Sequence, residues 1–301
     1  MDLSTRHQYK TLVWNYLFEL EKTPPKAIEA VLHKYHAEDA VWEIFHPFGT
    51  ISDCTTVAQK FWLPLIHAIP NMEHCLDIFA GDLYGDDYWV TSMGYLRGNF
   101  VNPWLGIPPT RKVIYVRIGQ FFKVAGNKIV RTHILLDIPD VMRQAGMYPF
   151  RPMMGIPELV PGPKSHNGLR LDDDDIGKHT LNTVLAMHKA LHDFDGENID
   201  SMQHSHCWSD FFFYYAPAGI GTTCGMESFK RYHQQPFLVS FPDRHGTAHY
   251  CRISDGPIAA TSHWGTLTAT HLGSNWLGIP ATGKKIKMRV ADWYCANESG
   301  K

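Results

Sequence analysis

Trp104-Leu105-Gly106-Ile107-Pro108-Pro109-Thr110-Arg111-Lys112 returns as Trp276-Leu277-Gly278-Ile279-Pro280-Ala281-Thr282-Gly283-Lys284, and this return decides how the chain is read. The offset is 172 residues, and without a gap it also carries Ile114 onto Ile286 and Arg117 onto Arg289. Nine of the 14 positions 104–117 are identical, far more than chance supplies. Fainter echoes lie upstream: His33/His204 and Asp39/Asp210 at 171, Pro47/Pro217, Gly49/Gly219, Cys54/Cys224 and Lys60/Lys230 at 170, Pro70/Pro242 at 172. Drift of this size is what loop insertions produce. A period this long exceeds any solenoid unit, so it marks two whole domains in tandem.

Copy 1 is expected over 1–147 and copy 2 over 179–301, with a linker at 148–178 rich in proline and glycine. The linker carries the run Asp172-Asp173-Asp174-Asp175, which reads as a solvated loop, since four adjacent carboxylates cannot all face one ion. Copy 1 continues past Lys128 into the apolar text IVRTHILLDIPDVMRQAG, whereas copy 2 reaches Lys301 at the equivalent point. The expectation is a second copy without its last strand, or a sequence that stops before the natural C-terminus.

Composition bounds the class. The chain has 301 residues, 44% hydrophobic and 19% charged, with Lys+Arg 28 against Asp+Glu 30 and a net charge of -2. Such a balance predicts no general attraction to nucleic acid or to an anionic membrane. The N-terminal text reads as an amphipathic helix and lacks the pattern of a secretory leader. No stretch has the length of uncharged apolar residues that a membrane helix needs. Six scattered cysteines without a C-x-x-C pair read as reduced fillers, and the cytoplasm is the expected compartment.

Each copy opens with helical text, at Pro25–His36 and Leu181–Phe194, and continues with a second helix at Thr56–Ile69 and Met226–Leu238. Strand patterns follow at 87–99 and 112–124, then at 246–253, 258–271 and 284–295. Helices first and long strands afterwards predict an α+β fold, with helices packed on a curved antiparallel sheet.

The order of motifs carries a resemblance. Asp39-Ala40-Val41-Trp42, Pro47-Phe48-Gly49, Trp104 to Thr110 and Asn127-Lys128-Ile129 follow one another, and copy 2 answers with Pro217-Ala218-Gly219, Trp276 to Gly283 and Gly300-Lys301. Over most of both copies this text resembles the SnoaL-like polyketide cyclases of the nuclear transport factor 2-like superfamily. The resemblance implies two cone-shaped α+β barrels in tandem, each opening on an apolar pocket, and a dimer-like arrangement of the two sheets within one chain. It leaves a homodimer open.

Strand parity supplies the leading site residue. If 285–295 is one strand, Ile286, Met288, Val290, Asp292 and Tyr294 share a face, and an apolar face turned inward carries Asp292 with it. Desolvation there would raise the carboxyl pKa toward the range a general acid or base needs. The resemblance implies the same role, since an Asp at this point of the strand looks like the family's acid/base. The competing reading is an Asp bonded to backbone donors at a strand end. Copy 1 has Gln120 at the matching position, facing in with Ile114, Val116, Ile118 and Phe122, and an amide cannot shuttle a proton.

Parity on 258–271 puts His263 and His271 on one face, too far apart to share a ligand, and His271 is preferred as a catalytic partner. His46, beside Pro47, and His133, on the last strand of copy 1, are expected pocket residues. Trp62, Tyr232, Tyr214, Tyr215, Trp264, Trp276 and Tyr294 are expected walls for a flat, ring-like ligand. His204 and His206 flank Ser205 with two-ligand spacing but fall at a helix end, where their side chains diverge. No H-E-x-x-H, G-x-S-x-G, Walker loop or dinucleotide glycine pattern is present, so neither a metal nor a nucleotide cofactor is expected.

The function expected is a cofactor-independent lyase or isomerase acting on a small carbonyl-containing substrate, cyclic or polyketide-like, through Asp292. The rival is a non-catalytic small-molecule binding protein, a pseudo-dimer in one chain.

Overall fold

The computed structural model describes residues 3–157, 160–172, 178–246, 249–262, 267–274 and 276–301. The chain forms two compact units, Met1–Tyr148 with Pro161–Asp175, and Pro149–Val160 with Ile176–Lys301. No helix among the described residues is long and apolar enough to cross a membrane.

The first unit opens with α1 (Leu3–Lys22), whose Val13, Tyr16, Leu17 and Leu20 recur at helical spacing and are buried. Behind Pro24 and Pro25 comes α2 (Ile28–Tyr35), which buries Ile28, Val31, Leu32 and Tyr35. The strands β1 (His36–Ile44) and β2 (Gly49–Ile51) form a hairpin. The carboxylate of Asp53 then accepts a 2.6 Å bond from the Thr56 amide and starts α3 (Cys54–Val57). A π-helical turn at Ala58–Trp62 leads into α4 (Leu63–Ala68). Four longer strands follow, β3 (Glu73–Tyr84), β4 (Asp87–Asn99), β5 (Val113–Ala125) and β6 (Lys128–Leu136), and α5 (Ile138–Gln144) closes the run. They make one sheet in the order β2-β1-β6-β5-β4-β3, parallel only where β1 meets β6. Helices and sheet share one core, in which Tyr16, Trp42, Phe61, Trp62 and Phe122 are fully buried.

The repeated turn explains its own conservation of text between the copies. Leu105 and Gly106 both take positive φ, 51° and 77°, while Trp104 and Ile107 exchange backbone bonds. Leu277 and Gly278 repeat this at 55° and 85°, and Ile279 again donates to the Trp276 carbonyl. Only glycine takes the second of these conformations without strain.

The proline-rich segment is shared out. Residues 161–172 lie against the outer edge of β3: the Phe79 amide donates to Gly168 at 2.8 Å and the Arg170 amide to Phe79 at 2.6 Å. This covers backbone groups that an edge strand would otherwise expose. Residues 149–157 join the second unit, where Ile156 and Thr222 exchange two 2.9 Å bonds. The proline- and glycine-rich segment 148–178, expected as a linker, makes these backbone bonds in both of its described parts.

The second unit begins with α6 (Lys178–Ala190) and a hairpin of β7 (Phe213–Tyr215) and β8 (Thr222–Cys224). Next come α7 (Gly225–Phe229), a π-helical turn at Lys230–Gln234 and α8 (Gln235–Ser240). The π turns and the prolines after them, Pro64 and Pro236, correspond at 172, so Lys60 stands opposite Tyr232 and the expected Lys60/Lys230 match is out of register. The short strands β9 (His245–Gly246), β10 (Cys251–Asp255), β11 (Ile258–Ser262), β12 (Leu267–Thr270), β13 (Lys285–Met288) and β14 (Ala291–Cys295) complete the unit. They pair as β10-β11-β14 and β13-β12-β9.

Two expected strands are thus broken. The text 284–295 divides at Arg289 and Val290 into members of different sheets, so Ile286 and Met288 do not fix the face of Asp292. The text 258–271 divides likewise. Ser262 pairs with Ala291 and Leu267 with Met288, and between those pairs one segment has four residues, 263–266, and the other two. Parity cannot be carried across unequal segments.

Candidate active site

Three strands and one helix of the second unit converge on Asp292. In β14, Asp292 lies directly opposite Thr261 of β11, and Tyr294 opposite Ala259. Thr261 lies in turn opposite Arg252 of β10, so Arg252, Thr261 and Asp292 form one row on one face. That is the face α6 covers, since Val184 and Met187 pack against Ala259 and Tyr294.

Asp292 keeps partial accessibility, yet burial alone pushes its pKa from 3.8 up to about 6. It has no hydrogen-bond or ion-pair partner among the described residues. The carboxyl is thus both desolvated and reachable. Among the described residues no backbone donor holds it, as the competing reading would require.

Tyr294 is the next polar group along the same face. Its hydroxyl lies 3.0 Å from His188 Nε2 on α6. Burial, then the neighbouring Asp292 and Tyr214, drive its pKa well above the ordinary phenol value. The phenol stays protonated. His188 stacks on His249, with ring centroids 5.4 Å apart and planes within 8°. Arg252 Nε donates to His249 Nδ1 at 2.8 Å, which makes that nitrogen the acceptor in a neutral ring.

The opposite wall comes from the hairpin and the π turn. The Tyr214 hydroxyl meets His233 Nε2 at 3.2 Å, and burial pushes the His233 pKa down to about 4, so this ring is neutral at physiological pH. Phe229 lies edge-on to Tyr214 at 4.7 Å, and Trp208 and Phe212 continue the aromatic surface. A π turn displaces one residue outward from regular helical register, a device frequent at functional sites. Here its fourth residue is His233.

The first unit has the same framework with a packed interior. Gln120 replaces Asp292 and accepts a 3.2 Å bond from Ser92, which occupies the place of Thr261, while its Nε2 has no partner. Phe122 replaces Tyr294, and Tyr16 stands edge-on to it at 6.0 Å, as His188 stands to Tyr294 at 6.0 Å. Phe61 is the fourth residue of its π turn, and Phe79, opposite Ser92, takes the place of Arg252. Apart from Gln120 and Ser92 these are aromatic rings, and all of them are buried.

Other expected site residues lie elsewhere. His271 packs on Phe241 at 5.4 Å, with Thr282 Oγ1 3.3 Å from its Nδ1, and makes no described contact with Asp292. Trp276 belongs to that same cluster, against Phe237 and Phe241. Tyr215 stacks on Phe213, on the face of β7 opposite Tyr214, and Tyr232 lies under Arg231 rather than in the pocket. His46 is exposed on its turn, and Trp62 is core. His133 pairs with Phe121 and lies against Trp89, on the sheet face opposite Gln120, so it is no pocket partner of that residue. His263 and Trp264 fall outside the described residues.

Among the described residues no three His, Cys, Asp or Glu side chains converge as a metal site requires. His204 meets Gln234 at 2.9 Å, while His206 turns to the Gln203 carbonyl.

The fold and the site together define an α+β unit present twice as a framework, with a desolvated carboxyl among polar side chains in the second copy alone. No family model matches the chain, and no curated protein is matched. Among solved structures, a candidate SnoaL-like polyketide cyclase from Jannaschia sp. CCS1 is similar over 47% of this chain and 93% of its own, at 20% identity and a TM-score of 0.39. IdmH, a candidate polyketide cyclase from Streptomyces antibioticus, is similar over 46% and 99%, at 21% identity and a TM-score of 0.37. A nuclear transport factor 2-like protein from Burkholderia thailandensis E264 is similar over 46% and 96%, at 18% identity and a TM-score of 0.35. Each spans about half of this chain, and at such identities the likeness concerns fold alone.

Proposed function

We propose that the second unit is an acid/base enzyme, a lyase or isomerase acting on a small carbonyl compound of cyclic or polyketide-like character. The observation that carries this reading is Asp292, a deep, reachable carboxyl with no bonded partner and a pKa of about 6. Such a group takes a proton at neutral pH and can return it. In the proposed step the Asp292 carboxylate removes a proton from carbon next to a carbonyl. The electron pair moves into the carbonyl oxygen, and the Tyr294 hydroxyl donates to the enolate so formed. Collapse of the enolate returns the proton elsewhere, expels a group, or closes a ring. These steps draw on side chains alone, so turnover is expected to need no cofactor and to survive a chelator.

The first unit carries none of this chemistry in our reading, because Gln120 cannot accept the proton and aromatic rings occupy the cavity. The test is single-turnover rate across a panel of ring-forming and dehydrating β-dicarbonyl compounds, for the native chain and Asp292→Asn. The amide keeps the shape of the carboxyl and loses the base, so the rate should fall by about 10²–10⁴ with the fold retained. An unchanged rate would remove Asp292 from the chemistry, and no turnover across the panel beside tight binding would favour the binding-protein reading.

A further inference from the structure

The proposed reaction uses Asp292 and Tyr294 and leaves one charged group of the same face unexplained. Arg252 stands in the row Arg252–Thr261–Asp292, two strands from the carboxyl. Neighbouring strands lie about 4.8 Å apart, which puts the two backbones roughly 9.6 Å from each other. Among the described residues, only Nε of the guanidinium is engaged, by His249. Its two terminal amino groups meet no carboxylate or carbonyl among the described residues. Asp292 is not its partner either, since no opposing charge contributes to the state of that carboxyl. Arg252 is half-buried, and a charge held there needs a reason, since a neutral donor could support the ring of His249 equally well. The first unit shows the alternative: Phe79 at this place packs edge-on to Trp14 at 5.2 Å and needs no charge.

The bond to His249 also fixes how the guanidinium is presented. With Nε held, the plane is set and the two terminal amino groups project together as a fork. That fork matches the two oxygens of a planar carboxylate.

We propose that Arg252 receives a carboxylate of the substrate, so that the compound deprotonated at Asp292 is an organic acid whose carboxylate lies several bonds from the reacting carbon. This rests on the reading of the Asp292 cavity as the active site. Tyr214, Phe229 and Trp208 pack together near Tyr294 and add a flat ring to the description.

The test uses 2-naphthoate and its neutral isostere 2-naphthamide, titrated against the full chain by calorimetry, with 1-naphthyl phosphate as a third probe. The native chain should bind naphthoate at least about tenfold tighter than the amide, as a charge-assisted bond predicts. Arg252→Gln should bring the two affinities together and leave that for the amide in place, and Arg252→Lys should keep part of the preference. Thermal melting of each variant reports folding. Should Arg252→Gln fail to fold, the native comparison and Arg252→Lys still decide. Equal affinity for naphthoate and amide in the native chain, absence of naphthoate binding, or a preference that survives Arg252→Gln would overturn the proposal. Tighter binding of the phosphate than of naphthoate would overturn it as well. The readout is binding, so it separates from the rate loss in Asp292→Asn: a variant that loses turnover in a chain with no anion preference leaves Asp292 standing and removes Arg252 alone. The anion preference with an unchanged Asp292→Asn rate does the reverse.

Discussion

The hydroxyl of Tyr294 and Nε2 of His188 stand 3.0 Å apart, where the first unit sets the rings of Phe122 and Tyr16 edge to face. The same two positions thus serve as a hydrogen-bonded pair in one unit and as packing in the other. Removing the hydroxyl with Tyr294→Phe reproduces the first unit's residue. It should leave folding intact and lower turnover by about 10², as loss of one donor to a developing oxyanion does. Rates for the variant beside its melting curve check this, and an unchanged rate would remove Tyr294 from the reaction.

Asp292 makes stability depend on pH in a direction that can be worked out. Its folded pKa, about 6, lies above its ordinary value of 3.8. The protonated form is favoured by the fold, so stability is full below pH 3.8 and falls as pH rises to about 6. The loss amounts to up to about 3 kcal/mol. Asp292→Asn should melt with the native chain near pH 4 and above it at pH 7.5. Catalysis runs the other way, since the base form fills in above pH 6. The rate should rise with a midpoint near that value.

Gln120→Glu should damage the first unit and give it no activity. The new carboxyl would be fully buried beside Ser92. Its pKa should be raised by burial, so the variant should approach native stability at low pH and lose about 3–5 kcal/mol at pH 8. Denaturant titrations at two pH values measure this. New turnover in an Asp292→Asn background would contradict it.

Gly168→Ala should free the segment that covers β3. A Cβ there would lie 2.2 Å from the Asp77 carbonyl and 2.9 Å from the Pro163 ring, and neither is flexible. Limited proteolysis should cut within 161–172 faster than in the native chain, while activity in the second unit stays unchanged.

How much of this could be read beforehand depends on where each signal resides. The Trp104 and Trp276 turns are local chemistry, two residues at positive φ held by short backbone bonds, so the text alone carries them. Asp292 was reachable because the repeat sets it against Gln120, although the parity argument behind it crossed a broken strand. His188, His233 and Arg252 were not reachable. A histidine on an amphipathic helix reads the same whether it faces water or a cavity, and a π turn shifts which residue points inward. Arg252 joins the row only through two strand registers. His271 shows the converse error, since its expected face was counted through residues 263–266, where the two paired segments differ in length. For His133 the neighbour that decided its face, Phe121, was on another strand.

The partition of residues 149–175 bears on how this chain must emerge from synthesis. Read from the N-terminus, the text belongs to the first unit, then the second, then the first, then the second again. Unit boundaries are therefore interleaved, and a single cut cannot release either unit whole. The first unit can complete its β3 edge only after the opening piece of the second has left the ribosome. Duplicated neighbours are prone to trading equivalent strands while they fold. An interleaved order ties the twins together at this one place, since the opening piece of the second unit must emerge before the first has its last residues.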